Sequence, residues 1–161
     1  VISADDDCVY EQHWLGSLAV AAAKAPNAIV CHRAHLMLVD ASGRLRPYSE
    51  WAWETKVSGQ DRRLFFTGVG GVWYPPRSLA SSAFEETTRR SLCPTNDDIW
   101  FNWMARLNET PVIRTQGRPV RYVPTASAKI DALDALNVRG GSNDVQLMAM
   151  AREYGTNWLE S

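Results

Sequence analysis

Three consecutive aspartates, Asp5-Asp6-Asp7, directly follow the apolar opening Val1-Ile2-Ser3-Ala4. Adjacent carboxylates repel one another and must reach water or a cation, so the apolar run before them has to end at a surface. That run reads as the end of a buried strand rather than as a natural start, and the expectation is a chain taken from a longer protein. Beyond the aspartates the chain alternates between two periodicities. Trp14, Leu18 and Ala22, with Leu15 beside them, recur at helical spacing over residues 11–24, and Pro26-Asn27 ends that helix. Residues 28–32 and 35–39 read as strands, with Asp40-Ala41-Ser42-Gly43 as the turn after the second. The stretch 47–54 is ambiguous, a short helix presenting Trp51 and Trp53 being one reading. Residues 62–67 form a strand, and the glycine-rich segment 68–76 turns and extends until Pro75-Pro76 stops it.

Residues 84–92 read as helix. Thr95 or Asn96 then caps another, with Asp97-Asp98 in its first turn and Ile99, Trp103, Arg106 and Leu107 continuing it. Residues 112–115 and 119–123 look like strands around Gly117. Ser142 or Asn143 caps a last helix that carries Val145, Leu147, Met148, Met150 and Ala151 up to Tyr154. There is no internal repeat and no low-complexity linker. The pattern predicts a single α/β domain over residues 1–161, a mixed sheet flanked by helices.

Composition narrows the function classes. Hydrophobic residues make up 45% and charged residues 22%, as in a folded soluble domain rather than a disordered chain. Lys and Arg number 17 against 18 Asp and Glu, with neither half of the chain basic. Without a basic surface there is no electrostatic footprint for a phosphate backbone, so no nucleic-acid partner is expected. The most apolar stretch, residues 15–25, is short and broken by Gly16, Ser17 and Lys24, which excludes a membrane span. Three cysteines make no disulfide framework and point to reduced thiols in the cytoplasm. Core packing is the first expectation for each of the seven tryptophans, and their number modestly favours a carbohydrate or nucleotide ligand.

Three segments carry possible chemistry. The aspartate run stands at the exit of a strand, where α/β sheets place ligands. Carboxylate oxygens suit a hard divalent cation such as Mg²⁺ or Mn²⁺. Alternation along an extended chain sends Asp5 and Asp7 to one side and Asp6 to the other. Asp97 and Asp98 complement a helix dipole. They also stand at the rim of a buried helix, where a rigid carboxylate can have its pKa tuned for general-base work. Gly68-Val69-Gly70-Gly71-Val72-Trp73-Tyr74 allows close backbone approach and offers aromatic faces, but its spacing fits no phosphate-binding fingerprint.

Taken together, Ile-Ser-Ala-Asp-Asp-Asp-Cys-Val-Tyr, then Gly-Val-Gly-Gly-Val-Trp-Tyr-Pro-Pro, then Leu-Cys-Pro-Thr-Asn-Asp-Asp-Ile-Trp-Phe resemble bacterial glycosyltransferases of the GT-A fold, family-2-like. Segments 27–35 and 142–147 extend the resemblance, which runs from Ile2 to about Tyr154. It implies a partial GT-A-like, Rossmann-related sheet and transfer of a sugar from a nucleoside-diphosphate donor (a UDP- or GDP-sugar) to a saccharide acceptor. The reaction would be metal-dependent and inverting, in surface polysaccharide synthesis. The family's D-x-D motif falls on Asp5-Asp6-Asp7, with Asp7 as direct metal ligand for Mn²⁺ or Mg²⁺ and Asp5 reaching the donor and metal. Asp98 becomes the base, with Asp97 as neighbour or substitute, and Gly70, Gly71 and Trp73 line the donor-sugar and acceptor pocket.

The family holds the nucleotide on βα units upstream of D-x-D, and none precedes Val1 in this sequence. An exposed sheet edge, and with it a homo-oligomer or partner contact, is therefore expected. Two alternatives remain: a non-catalytic binding domain of the same fold, and a metal-dependent phosphohydrolase using the aspartates. Cys31, His32 and His35 lack a fourth ligand for zinc. Arg114, Arg118 and Arg121 are placed either on a solvated basic face or within reach of a diphosphate. His13 is expected on a helix surface, and the pairs Glu85-Glu86 and Arg89-Arg90 on another.

Overall fold

The structure, a computed structural model, describes residues 1–57, 59–116, 122–125, 137–138 and 140–159. Its centre is β3 (Ile29–Cys31), a short strand buried along its whole length. Successive side chains of a strand leave on opposite faces, so Ile29 and Cys31 enter one apolar cluster while Val30 enters another. Both faces must then be covered, and both are.

Four neighbours complete a mixed sheet in the order β1-β7-β3-β8-β5, from β1 (Ile2–Ser3), β7 (Val72–Trp73), β8 (Val112–Arg114) and β5 (Gly59–Gln60). β3 and β8 run parallel, with Val30 opposite Ile113, and the remaining pairs are antiparallel. The second face of the sheet is covered by α1 (Trp14–Lys24), whose Leu18 and Ala22 pack on Val30 with Trp73 and Ile113 at the margin. On the first face lie α3 (Asp97–Leu107) and the antiparallel pair β4 (Ala34–Leu36) and β6 (Leu64–Phe66). A further cluster beneath α3 joins Trp100, Trp103 and Met104 to Tyr48, Trp51, Phe65 and Leu147. Leu147 belongs to α4 (Ser142–Tyr154).

The expected mixed α/β organisation is present, and the differences have local causes. The first helix begins at Trp14 rather than Glu11, because a turn closed by the Trp14 amide on the Glu11 carbonyl comes before it. His13 is exposed at its cap, as expected. β2 (Cys8–Tyr10), which sequence periodicity did not mark, pairs antiparallel with β9 (Tyr122–Pro124), and the Thr125 amide donates to the Asp7 carbonyl. The 47–54 stretch contains one 3-10 turn, Tyr48–Glu50, and of its two tryptophans Trp51 is buried and Trp53 exposed. A 3-10 turn, Ser81–Phe84, precedes α2 (Glu86–Leu92), so Phe84 stands outside the helix assigned to it. Glu86 holds both Arg89 and Arg90 on the surface of α2.

Neither Ser142 nor Asn143 caps α4. Gly141 occupies that position in the left-handed region, at φ 72°. The Ser142 hydroxyl accepts from the Gln146 amide group instead, and Asn143 is turned toward Asn96. Gly117, Arg118, Pro119 and Arg121 lie outside the described residues. No helix among the described residues is long and apolar enough to cross a membrane. β1 pairs with β7 alone, and no strand among the described residues takes its other edge.

Candidate functional site

The helix α3 is anchored before its first residue. Asn96 accepts from the Ile99 amide at 3.3 Å, which makes it, rather than Thr95, the N-cap. Its side-chain amide donates to Asn143 at 2.8 Å, while Gln146 accepts from the amides of Thr95 and Asn96 at 3.2 and 3.1 Å. Asn143 and Gln146 are both buried, three residues apart on one face of α4. A third buried amide, Asn102, accepts from the Phe66 amide and donates to the carbonyls of Phe66 and Asp98, which ties α3 to the end of β6.

That tie sets Asp98 beside the turn following β6. The Gly68 amide donates to Asp98 Oδ1 at 2.8 Å, and the Gly71 amide closes the turn on the Gly68 carbonyl at 2.9 Å. A Cβ on Gly68 would stand 3.1 Å from Asp5 Oδ1 and 3.3 Å from Asp98 Oδ1. The first acidic segment and the second therefore meet across one glycine, although 93 positions separate Asp5 from Asp98. Gly68 lay within the glycine-rich stretch, yet spacing alone did not single it out from Gly70 and Gly71.

Asp5 and Asp7 are half-buried and Asp6 is exposed, as alternation suggested, but a turn at Asp6-Asp7 rather than an extended strand produces it. One donor atom each from Asp5, Asp7 and Cys8 lies within 4.8 Å of the others. Cys8 Sγ–H points at Asp7 Oδ1, 3.7 Å away. The Tyr10 hydroxyl accepts from the Asp5 amide at 3.1 Å, and its ring stacks on Trp14 with centroids 4.6 Å apart. Trp14 Nε1 in turn donates to the Gly70 carbonyl at 2.6 Å.

The electrostatics follow from this convergence. Burial, helped by the neighbouring Asp97 charge and then by Asp5, pushes the Asp98 carboxyl up to about 7, against the opposing pull of the Gly68 amide. Asp5 is raised as well, first by burial and then by Asp7, Asp97 and Asp6. Arg33 is the cation that partly offsets both. It is itself held by Glu54 at 3.0 Å and by Thr67 at 3.3 Å. Burial also raises the Cys8 thiol, with Asp7 and Asp5 adding to it, so the free side chain is a thiol and not a thiolate.

Asp5, Asp97 and Asp98 open into a cleft of about 990 Å³, with Gly68, Val69 and Tyr74 on its wall. Gly70, Gly71 and Trp73 do not line it. Gly70 is buried against Arg33, with a Cβ there 3.2 Å from Arg33 Cβ, and Gly71 lies under the Trp14 ring. Trp73 leaves β7 on the α1 face and packs with Leu18, Ala22 and Val30. Of the two adjacent aromatics it is Tyr74 that lines the cleft, by the alternation of side chains along an extended chain.

The other candidates are occupied elsewhere. Cys31 Sγ faces the Ile113 carbonyl, His32 contacts Thr115 and Trp14, and His35 Nδ1 accepts from the Glu54 amide, so the three do not converge on a metal. Arg114 donates to the carbonyls of Val57 and Lys56 and is committed to structure. No protein-family model, curated protein or solved structure matches the chain.

Proposed function

We propose that the chain is the metal- and acceptor-binding part of a GT-A-like glycosyltransferase that moves a sugar from a nucleoside-diphosphate donor to a saccharide acceptor. The observation that carries the reading is the meeting of Asp5 Oδ1 and Asp98 Oδ1 over Gly68 at one end of a large cleft. Group transfer to a hydroxyl needs two acidic functions, one to hold a cation at the leaving diphosphate and one to take the hydroxyl proton. The two must be close without being the same group.

The residues present fit a hard divalent cation. Asp5 and Asp7 offer carboxylate oxygens within coordination reach of each other, and the missing Cβ of Gly68 leaves space beside Asp5. Bound there, Mn²⁺ or Mg²⁺ supplies charge neutralisation for the departing nucleoside diphosphate. Asp98 has the properties of the base. It is fixed by the Gly68 amide, and a carboxyl raised to about 7 matches a proton acceptor to neutral pH. In a single displacement Asp98 takes the acceptor hydroxyl proton as that oxygen bonds to the anomeric carbon. The bond from that carbon to phosphate breaks, and its electron pair leaves with the nucleoside diphosphate. Asp97, exposed at the rim, raises the affinity of Asp98 for the proton. Among the described residues no strand takes the outer edge of β1, so nothing described there blocks the further βα units that the resemblance implies.

Calorimetry with Mn²⁺ and UDP or GDP tests the reading. Metal-dependent nucleotide binding that disappears in Asp7→Ala is the expected result, with Asp98→Asn binding the nucleotide normally and transferring nothing. No metal-dependent nucleotide binding overturns it, and phosphate release without any acceptor sugar turns it toward the phosphohydrolase.

A further inference from the structure

Cys8 follows the aspartate run directly and brings sulfur to the edge of the acidic cluster. β2 is half-buried at Cys8 and Tyr10 and exposed at Val9, so the thiol shares a face with the Tyr10 ring. Its Sγ lies 3.7 Å from Asp7 Oδ1, and an oxygen of Asp5 completes a triangle with no side longer than 4.8 Å. In a tetrahedral site, a sulfur bond of about 2.3 Å and an oxygen bond of about 2.0 Å put those two ligand atoms about 3.5 Å apart. The Cys8–Asp7 spacing is already close to that edge.

All three positions are pinned through their backbone. The Asp5 amide donates to the Tyr10 hydroxyl at 3.1 Å, and the Thr125 amide donates to the Asp7 carbonyl at 2.7 Å. Cys8 stands opposite Pro124 in the β2–β9 pair. Donor atoms on a fixed backbone have little ordering left to do when an ion arrives. The charge of the cluster also calls for a cation. Among the described residues no Lys or Arg forms an ion pair with Asp5, Asp7, Asp97 or Asp98, the arginines being paired with Asp40, Glu50, Glu54, Asp61 and Glu86 where they are paired at all. Gly68 leaves the room, since a Cβ there would stand 3.1 Å from Asp5 Oδ1.

We infer that Cys8 Sγ joins Asp5 and Asp7 as a third ligand, so that the site takes a thiophilic divalent cation, Zn²⁺ or Cd²⁺, ahead of Mg²⁺. This rests on the cation site of the glycosyltransferase reading and adds the choice of metal. Carboxylates alone suit hard ions, and a sulfur ligand draws the choice toward softer ones. The cation displaces the thiol proton to solvent as sulfur binds. Three protein ligands leave a fourth position open for a water or a diphosphate oxygen. A zinc ion there competes with Mn²⁺ for the same two carboxylates.

Titration with Cd²⁺, read by the ultraviolet sulfur-to-cadmium charge-transfer band, tests the assignment. Cys31 and Cys93 are fully buried, so the band reports Cys8. One equivalent of Cd²⁺ should saturate it. Cys8→Ser should abolish the band and weaken Cd²⁺ binding about tenfold or more, while Mg²⁺ affinity changes about twofold at most. Asp7→Asn should keep the thiol yet raise the Cd²⁺ needed for half the band about tenfold. Circular dichroism checks that both variants fold. In the unaltered protein Zn²⁺ should shield Cys8 from iodoacetamide and Mg²⁺ should not, a readout that needs no variant. No band, a band that survives Cys8→Ser, a band indifferent to Asp7→Asn, or equal alkylation in Zn²⁺ and Mg²⁺ overturns the assignment. If Mn²⁺-dependent nucleotide binding persists beside any of those results, the glycosyltransferase reading stands without it. If Cd²⁺, Mn²⁺ and Mg²⁺ all fail to bind, both fall together.

Discussion

Replacing Asp98 by Asn keeps an oxygen for the Gly68 amide and removes the charge that burial opposes. The folded-state pKa, about 7, lies above the ordinary carboxyl value of 3.8, so the folded protein holds this proton more tightly than the unfolded chain. Stability from the group is complete below about 3.8 and is lost as pH rises toward about 7. Linkage puts the wild-type penalty at a ceiling of roughly 2 kcal/mol at pH 5 and roughly 4 kcal/mol at pH 8. Asp98 is a partly exposed residue, and water screening brings the difference between the two pH values to on the order of 1–2 kcal/mol. Asp98→Asn should therefore gain stability over wild type as pH rises from 5 to 8, while losing about 10²-fold or more in transfer. Urea denaturation of both proteins in EDTA at the two pH values measures the first effect. A variant less stable than wild type by the same amount at both would show that the carboxyl is not desolvated, and the base assignment would lose its physical ground.

Gly68→Ala meets no positive φ but sets a methyl between the two acids, so cation affinity and turnover should fall at least tenfold for a stability change of about 1 kcal/mol or less. Titration with Mn²⁺ beside a urea curve separates the two. In contrast, Gly71→Ala puts Cβ 2.5 Å from Trp14 Cζ2 at a backbone φ of 90°, and a loss of about 2–4 kcal/mol is expected in the same urea assay. Asn96→Ala removes the cap of α3 and the partner of Asn143, which should cost about 1–2 kcal/mol by thermal unfolding. Leu18→Ala should cost about 2–5 kcal/mol, since its side chain is fully buried between α1 and β3.

The elements that sequence periodicity marks best are those whose burial is one-sided or complete. Leu18 and Ala22 betray α1, the continuous apolar run of β3 betrays a central strand, and Asp97-Asp98 after Asn96 betrays the start of α3. Two-residue strands such as β5 have no period to read, and β2 exists only because β9 lies beside it. Both acidic segments were legible because runs of carboxylates are conspicuous. Which glycine joins them was not. Gly68, Gly70 and Gly71 are alike as letters, and only the Asn102 tie between β6 and α3 brings Asp98 to the first of them. Trp73 and Tyr74 were equally ambiguous as aromatic neighbours. The parity of a strand two residues long decides between them, and it sends Trp73 into the α1 cluster.

The bond from Trp14 to Gly70, and the ring of Trp14 lying over Gly71, give the back of the glycine turn no slack. Attempts to retune this pocket by changing that side would disturb both acids at once, whatever was intended. The freedom lies opposite, at Phe84, whose exposed side chain can be exchanged without touching either carboxylate. Any redesign of the cleft would do best to vary that rim and leave the turn alone.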